Sequence, residues 1–177
     1  MKIRALLLAS ALVASPAAAE VKSADENGFA LEYGETVAKP PEEVWAMIRT
    51  PAKWWSKDHT YSGNAANLWM DLQAGGCFCE KLADRGSVEH ARIIYAQPGK
   101  ALRLAGAFGP LQAFPVAGIM TFTLTPAEGG GTTIAVSYVL GGRVGMEGGT
   151  AGIAPMVDKV LGEQIAGLKT ALETPVQ

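Results

Sequence analysis

Two cysteines, a glutamate and a histidine stand close together near the middle of the 177-residue chain. One residue separates Cys77 from Cys79, Glu80 follows directly, and His90 lies a short distance further along. Thiolate and imidazole groups bind soft metals or carry redox chemistry, and a carboxylate beside an imidazole can transfer protons. These four side chains are therefore the first candidates for a reactive site.

The spacing of the cysteines leaves their chemical state open. Two residues of an extended strand advance about 6.6 Å, whereas the Cβ atoms of a disulfide lie about 4 Å apart. A disulfide between Cys77 and Cys79 would therefore have to distort the strand. Otherwise the pair remains as thiols, and it is then a buried apolar pair, a soft-metal site, or a redox or ligand-reactive pair.

The pairing of two neighbouring strands decides which group His90 meets. If Leu82 pairs with Ser87, His90 faces Cys79, whereas the register shifted by one residue sets His90 against Glu80. A slip of one residue moves every side chain of a strand to the other face. The sequence is compatible with both registers.

Each register implies a different chemistry. The first gathers Cys77, Cys79 and His90 into a candidate metal site, although metal-binding sequences normally show a CxxC spacing and paired ligands. The second makes His90 and Glu80 candidates for catalytic proton transfer, or a structural pair joined by a hydrogen bond.

Strands are predicted to position most of these groups. Phe29, Leu31 and Tyr33 alternate with polar or small residues, which predicts a first strand with one buried face. Pro41 and the acids after it predict a short helix, and a second short helix is expected to run into Trp55. Six further strands are predicted over 68–73, 77–82, 88–95, 102–104, 120–124 and 134–140, with glycines 129–131 turning the last hairpin.

A long amphipathic helix is predicted to follow the last strand. Apolar residues recur at helical spacing from Pro155 to Thr174. The glycine-rich stretch 141–152 lacks the spacing of a phosphate-binding loop, so we expect it to be a flexible connector. Gly162 and Gly167 either leave volume beside this helix for a cavity or are tolerated interior positions.

The first nineteen residues have the features of a secretory signal peptide. Lys2 and Arg4 precede a short apolar run, and Ala17 and Ala19 fit the small-residue pockets of signal peptidase. We expect cleavage after Ala19, export to the periplasm or the medium, and one domain over 20–177. The apolar run is far shorter than the ~20 residues of a spanning helix, so no stable membrane anchor is expected after cleavage.

Composition and motifs exclude some classes of function. The formal net charge is −2, and no basic run is present, so we expect no binding to nucleic acid. The hydrolase signatures GxSxG and HExxH are also missing. We expect no cofactor.

Several phrases of the sequence resemble the START-like, or SRPBCC, superfamily, and in particular its Aha-type and polyketide-cyclase branch. They are Pro41-Glu42-Glu43-Val44-Trp45, the Trp54-Trp55 pair, the segment 75–80 (GGCFCE) and the segment 97–102 (QPGKAL). The resemblance implies an α+β helix-grip fold, in which a curved antiparallel sheet of about seven strands wraps around a long C-terminal helix. A lipocalin-like barrel is the rival fold, but it lacks the early pair of short helices.

Members of the superfamily share an apolar cavity between the sheet and the last helix, so the resemblance implies a protein that binds a small apolar molecule or a lipid. Two alternatives remain open: an enzyme of the cyclase or aromatase kind that uses His90 or Glu80, and a thiol or soft-metal site. The oligomeric state is left open. The residues expected to line the cavity are Trp55, Trp69, Phe78, Phe108, Phe122, Met156 and Leu161.

Overall fold

An eight-stranded antiparallel sheet forms most of the protein. The computed structural model describes residues 20–174, so the expected signal peptide lies outside the described residues. The strands follow the order β1-β2-β8-β7-β6-β5-β4-β3 across the sheet, which leaves β1 and β3 at its edges. Their bounds are β1 Glu20–Ala24, β2 Gly28–Val37, β3 Leu68–Met70, β4 Cys77–Lys81, β5 Ser87–Gln97, β6 Ala101–Ala105, β7 Val116–Pro126 and β8 Thr132–Gly142.

Two α-helices accompany the curved sheet. Helix α1 spans Pro41–Ile48 and helix α2 spans Gly149–Glu173, which packs against β1, β2 and α1. The second short helix expected after the first strand is a single 3₁₀ turn at Pro51–Lys53. The architecture is the predicted helix-grip fold, with β1 as an additional edge strand. Among residues 20–174, no helix combines the length and apolar character needed to span a bilayer.

Alternation along the strands builds the core. In β8, the side chains of Ile134, Val136, Tyr138 and Leu140 are all buried, as their spacing of two predicts. Full burial of each large apolar side chain stabilises the fold by about 1.5–3 kcal/mol. The stripe of α2 that joins this core consists of Ile153, Ala154, Leu161, Ile165, Leu168 and Leu172.

Helix α2 begins earlier than predicted. Pro155 was expected at its start but lies inside it on the exposed side, and the helix starts at Gly149. A proline inside a helix loses one backbone hydrogen bond. That loss is offset because Ile153 is buried and the Thr150 hydroxyl donates to the carbonyl oxygen of Asp25 at 2.6 Å. The glycine-rich connector is correspondingly shorter than expected.

The hairpin between β7 and β8 turns at the predicted glycines. Gly129 and Gly130 have φ angles of 78° and 86°, which L-amino acids with side chains rarely adopt. The turn is closed by a hydrogen bond from the Ala127 amide to the carbonyl oxygen of Gly131. The full length of β7 and β8 then pairs without irregularity.

Gly167 allows α2 to approach the 3₁₀ turn very closely. A Cβ atom added at this position would lie only 2.4 Å from the carbonyl oxygen of Trp54. This glycine therefore marks a backbone contact rather than free volume beside the helix.

We expect Gly167→Ala to lower the free energy of unfolding by about 2 kcal/mol, because overpacking a tight contact costs about 1–3 kcal/mol. Urea denaturation of the two proteins measures the difference. Gly145→Ala is the control, since its added Cβ would reach only ordinary contact with the ring of Phe114 at 4.0 Å. An unchanged or increased stability of Gly167→Ala would contradict the close packing of α2 on this turn.

Candidate functional site

A β-bulge between β4 and β5 turns His90 into the interior. Cys79 pairs with Glu89, but Phe78 pairs with Ala91, so His90 is an extra residue of β5. Both His90 and Ala91 are buried as a result, because a bulge interrupts the alternation of faces. Ser87 pairs with Lys81, so neither of the pairs considered from the sequence forms at the turn. Beyond the bulge, Phe78–Ala91 and Cys77–Arg92 follow the first register, whereas Glu80, the partner of His90, is the one that the second register predicted.

Glu80 and His90 form a buried polar pair. The Glu80 side chain is fully buried, and its carboxylate lies 3.0 Å from Nε2 of His90. The same carboxylate accepts hydrogen bonds from the backbone amides of Tyr61, at 3.0 Å, and Ser62, at 2.5 Å. A buried charge is tolerated only when it is hydrogen-bonded in this way.

The environment fixes the protonation states of the pair. Burial acts to raise the pKa of Glu80, but the hydrogen bonds from Ser62, Tyr61 and His90 outweigh it, so this pKa is lowered. Burial lowers the pKa of His90, and the neighbouring Glu80 carboxylate offsets this effect only partly. Near neutral pH, Glu80 is therefore ionised and His90 is neutral, with the proton on the Nε2 atom that faces Glu80.

The second ring nitrogen of His90 is free to act as an acceptor. Within residues 20–174, Nδ1 of His90 has no hydrogen-bond partner. The His90 side chain as a whole is 5% exposed. A neutral imidazole whose Nε2–H is held by a carboxylate presents a basic lone pair at Nδ1.

Four aromatic rings lie beside this pair, and we call Trp55, Phe78, Phe108 and Tyr138 the aromatic cluster. The ring centroids of Trp55 and Phe78 are 5.0 Å apart, and those of Phe78 and His90 are also 5.0 Å apart. Phe108 meets Tyr138 edge-on at 5.3 Å. Phe108 is only partly buried, so the cluster reaches the surface there.

Residues 56–67 lie against the cluster and the pair, and we call them the cover segment. None of these residues is buried. The segment is held by polar contacts: the two amide bonds to Glu80, a bond from the Ser56 amide to Oε1 of Gln164 at 2.8 Å, and contact of His59 with Glu163 at 2.8 Å. Because the segment has few buried apolar contacts, these polar contacts set the free-energy cost of opening it.

The structure brings together only some of the residues predicted to line a cavity. Trp55, Phe78 and Phe108 belong to the aromatic cluster, whereas Phe122 and Leu161 are buried elsewhere in the core. The prediction is wrong for Trp69 and Met156, which are 37% and 58% exposed. Trp69 lies on the outer face of β3 by strand alternation, and Met156 lies beside the apolar stripe of α2.

Cys77 and Cys79 form a disulfide on the outer face of β4. Their Cα atoms are 5.6 Å apart, which is shorter than the ~6.6 Å of an extended strand, so the strand is distorted as a disulfide requires. The structure does not bring His90 to these sulfur atoms, since His90 faces the interior. Within residues 20–174, no group of three or more His, Cys, Asp or Glu side chains is placed to hold a metal ion.

Two hollows of the molecule lie outside the expected cavity. One of about 220 Å³ lies over β2, β7 and β8, and another of about 460 Å³ lies between the start of α1 and the turn from β5 to β6. Neither has a lining residue from α2. Between the sheet and α2, the buried side chains form one core cluster that includes Leu31 and Leu168.

Sequence reasoning missed the cover segment. Its two contacts with Glu80 come from backbone amides, which leave no trace in the side-chain pattern. Gln164 could have indicated it, because a polar residue on the apolar stripe of α2, between Leu161 and Ile165, requires a polar partner. Its side chain is 1% exposed and accepts from the Ser56 amide.

The fold places the chain among proteins of the helix-grip type. It is similar to CalU16 from Micromonospora echinospora, with 15% identity over 88% of this chain and 87% of that chain and a TM-score of 0.57. It is also similar to MLL2253 from Mesorhizobium loti, with 18% identity, coverage of 83% and 99%, and a TM-score of 0.60. DynU16, a protein of the dynemicin biosynthetic locus, matches with 18% identity and a TM-score of 0.57, over 85% of this chain and 48% of that chain.

At these identities the likenesses show the fold alone. No family model matches the sequence, and no curated protein matches it. The chemistry of this chain must therefore be argued from its own residues.

The buried pair predicts a loss of stability in acid. Both pKa values are lowered on folding, so the unfolded chain binds more protons. The stabilisation from His90 is full above its ordinary pKa of 6.5 and is lost as the pH falls through its lowered folded value. The contribution of Glu80 is present above its ordinary pKa of 4.5 and is lost below it in the same way.

Denaturation of the wild type in urea should therefore give a free energy of unfolding that decreases from pH 6.5 downward. In His90→Gln, whose amide can still donate to Glu80, the decrease between that pH and about pH 5 should disappear. His59→Gln, at the surface beside Glu163, controls for the loss of a histidine and should keep the wild-type slope because His90 is intact. If the free energy of unfolding depended on pH equally in the wild type and in His90→Gln, the assignment of a neutral, buried His90 would be contradicted.

Proposed function

We propose that this protein is an exported SRPBCC-type protein that binds a small apolar molecule or a lipid at the aromatic cluster. The ligand enters when the cover segment moves away from Glu80. The observation that carries the proposal is the cover segment itself, a stretch of twelve residues without a buried side chain, whose His59 carbonyl oxygen accepts a hydrogen bond from Nε1 of Trp55 in the cluster at 3.0 Å.

The contacts around the cluster support this site over the rest of the molecule. Phe108 and Trp55 offer ring faces for an apolar ligand, and their centroids are 6.3 Å apart. The exposed Tyr61 ring of the cover segment lies 6.0 Å from His90. Ligand pockets typically combine such apolar walls with a few fixed polar groups, here Glu80 and His90.

Two features support export. The first nineteen residues have the charged start, apolar run and small-residue end of a signal peptide. The disulfide between Cys77 and Cys79 suits an oxidising compartment, since disulfides are rare in the cytosol. The proposed location is therefore the periplasm or the medium.

The direct test is native mass spectrometry of the mature chain purified without unfolding. We expect a bound compound that organic solvent extracts and that accounts for the added mass. A clean apo mass, together with no affinity for the apolar fluorescent probe N-phenyl-1-naphthylamine, would remove the support for a binding function.

Phe108→Ala should weaken binding of the same probe about tenfold or more, because the lost ring contact is worth about 1.5 kcal/mol or more. Trp69→Ala is the matched control, since Trp69 is an aromatic residue on the outer face of the sheet. Fluorescence titration of the three proteins gives the dissociation constants. Equal weakening by both substitutions, or by neither, would place the probe away from the aromatic cluster.

A second candidate function is a cyclase-like or aromatase-like enzyme, in keeping with the branch that the sequence motifs resemble. The observation in its favour is the free Nδ1 of His90, which a neutral ring held by Glu80 presents as a general base. In that case Nδ1 accepts a proton from the bound molecule, and Glu80 stabilises the imidazolium that forms.

Comparison of the extracted compounds separates the two functions. If His90 acts as a base, wild-type protein and His90→Gln expressed in the same cells should carry different compounds, the variant holding the unconverted one. If the protein is a carrier, both should hold the same compound in similar amounts. Liquid chromatography with mass spectrometry of the extracts makes the comparison.

A further inference from the structure

We propose that the disulfide between Cys77 and Cys79 is a redox-active centre that exchanges with external thiols, and that Cys77 is the sulfur they attack. This activity is independent of ligand binding at the aromatic cluster. It lies on the opposite, outer face of the sheet.

The disulfide contributes little to the stability of the fold. Cross-links stabilise a fold by restricting the unfolded chain, and the effect grows with the length of the loop they close. This one encloses only Phe78. A bond that restrains so little chain and still distorts its strand is better explained by its chemistry.

The two sulfur atoms differ in access. Cys79 is 7% exposed, and it lies between Trp69 on β3 and Glu89 on β5 in the strand registers. Cys77 is partly exposed. Strand β3 ends at Met70, opposite Phe78, and the exposed residue Asp71 continues the pairing through a hydrogen bond from its amide to the carbonyl oxygen of Cys77 at 3.0 Å. An incoming thiol can therefore reach Cys77 more easily than Cys79.

Two charges of β5 on the outer face, those of Arg92 and Glu89, favour the same direction. Arg92 pairs with Cys77 in the register of β4 and β5, whereas Glu89 pairs with Cys79. Directly opposed residues of an antiparallel pair lie close enough to interact. The guanidinium group of Arg92 attracts an incoming thiolate toward Cys77 and favours the thiolate form of Cys77 after reduction. The Glu89 carboxylate repels a thiolate that approaches Cys79, and it also forms an ion pair with Arg92.

The exchange proceeds in two balanced steps. A thiolate attacks Sγ of Cys77, the S–S bond breaks, and Cys79 leaves as a thiolate that takes a proton from solvent. A second thiolate then attacks the external sulfur of the mixed disulfide, and Cys77 leaves as a thiolate. Two external thiols are thereby oxidised to one disulfide, and the protein disulfide is reduced to two thiols.

The first test uses the wild-type mature chain without denaturant. Reduced glutathione should open the disulfide while the far-ultraviolet circular dichroism stays unchanged, and acid trapping followed by peptide mass spectrometry should locate the mixed disulfide on Cys77. A disulfide that reacts only after unfolding, or a mixed disulfide located on Cys79, would overturn the proposal. This test depends on no substitution.

The second test compares the two sulfur atoms separately. Cys77 in Cys79→Ser should form a mixed disulfide with oxidised glutathione about ten times faster, or more, than Cys79 in Cys77→Ser. Equal rates, or a faster Cys79, would contradict the assigned direction.

A matched pair of variants tests the effect of the Arg92 charge on Cys77. In the Cys79→Ser background, Arg92→Gln should slow alkylation of Cys77 by iodoacetamide at neutral pH several-fold, whereas Lys81→Gln should leave it unchanged. Lys81 is a cation on the same strand, but it lies beyond Cys79 and over the ring of Trp69. Equal effects of the two substitutions would show that Arg92 has no specific role.

Discussion

The buried carboxylate of Glu80 is the group on which the site depends. A carboxylate removed from water must be compensated by hydrogen bonds, and removal of one partner of a buried charge typically costs about 3–5 kcal/mol. Here the donors are two amides of the cover segment, at Tyr61 and Ser62, and the ring of His90 on β5. One charge on β4 thus fixes both a neighbouring strand and a segment that has no buried side chain of its own.

The irregular pairing of β4 and β5 has a consequence on each face of the sheet. On the inner face, the extra residue His90 reaches Glu80. On the outer face, the same part of β4 is shortened so that Cys77 and Cys79 can join. Phe78 lies between the two cysteines and points into the aromatic cluster. A change in the outer bond is therefore one residue away from the proposed ligand site.

The sequence predicted those parts of the fold that depend on one buried face. Strands β2, β7 and β8 follow from simple alternation, since each has a row of buried apolar residues at a spacing of two. Strand β1 (EVKSA) was not predicted, because it is short and lies at the edge of the sheet. The start of α2 was misplaced because Pro155 resembles a first-turn residue, while tertiary burial of Ile153 extends the helix past it.

The candidate site was predicted in its residues but not in its geometry. Glu80 and His90 stood out by type, yet a β-bulge has no reliable sequence signature, and one extra residue changes which side chains meet. Trp69 and Met156 were assigned to the interior because they are large and apolar. Residue type alone does not decide on which face of a strand or helix a side chain lies.

The proposed binding mode also sets a lower limit on the size of the ligand. Displacement of the cover segment from Glu80 breaks two hydrogen bonds to a charged group, each worth about 1.5–3 kcal/mol. Burial of apolar surface contributes a favourable free energy of about 25 cal/mol per Å², so about 200 Å² of ligand surface must be buried to offset the loss of these two bonds. An aromatic side chain buries a comparable area. The closed, well-packed interior is thus compatible with binding, provided that the ligand is at least as large as one or two aromatic rings and enters where Phe108 reaches the surface.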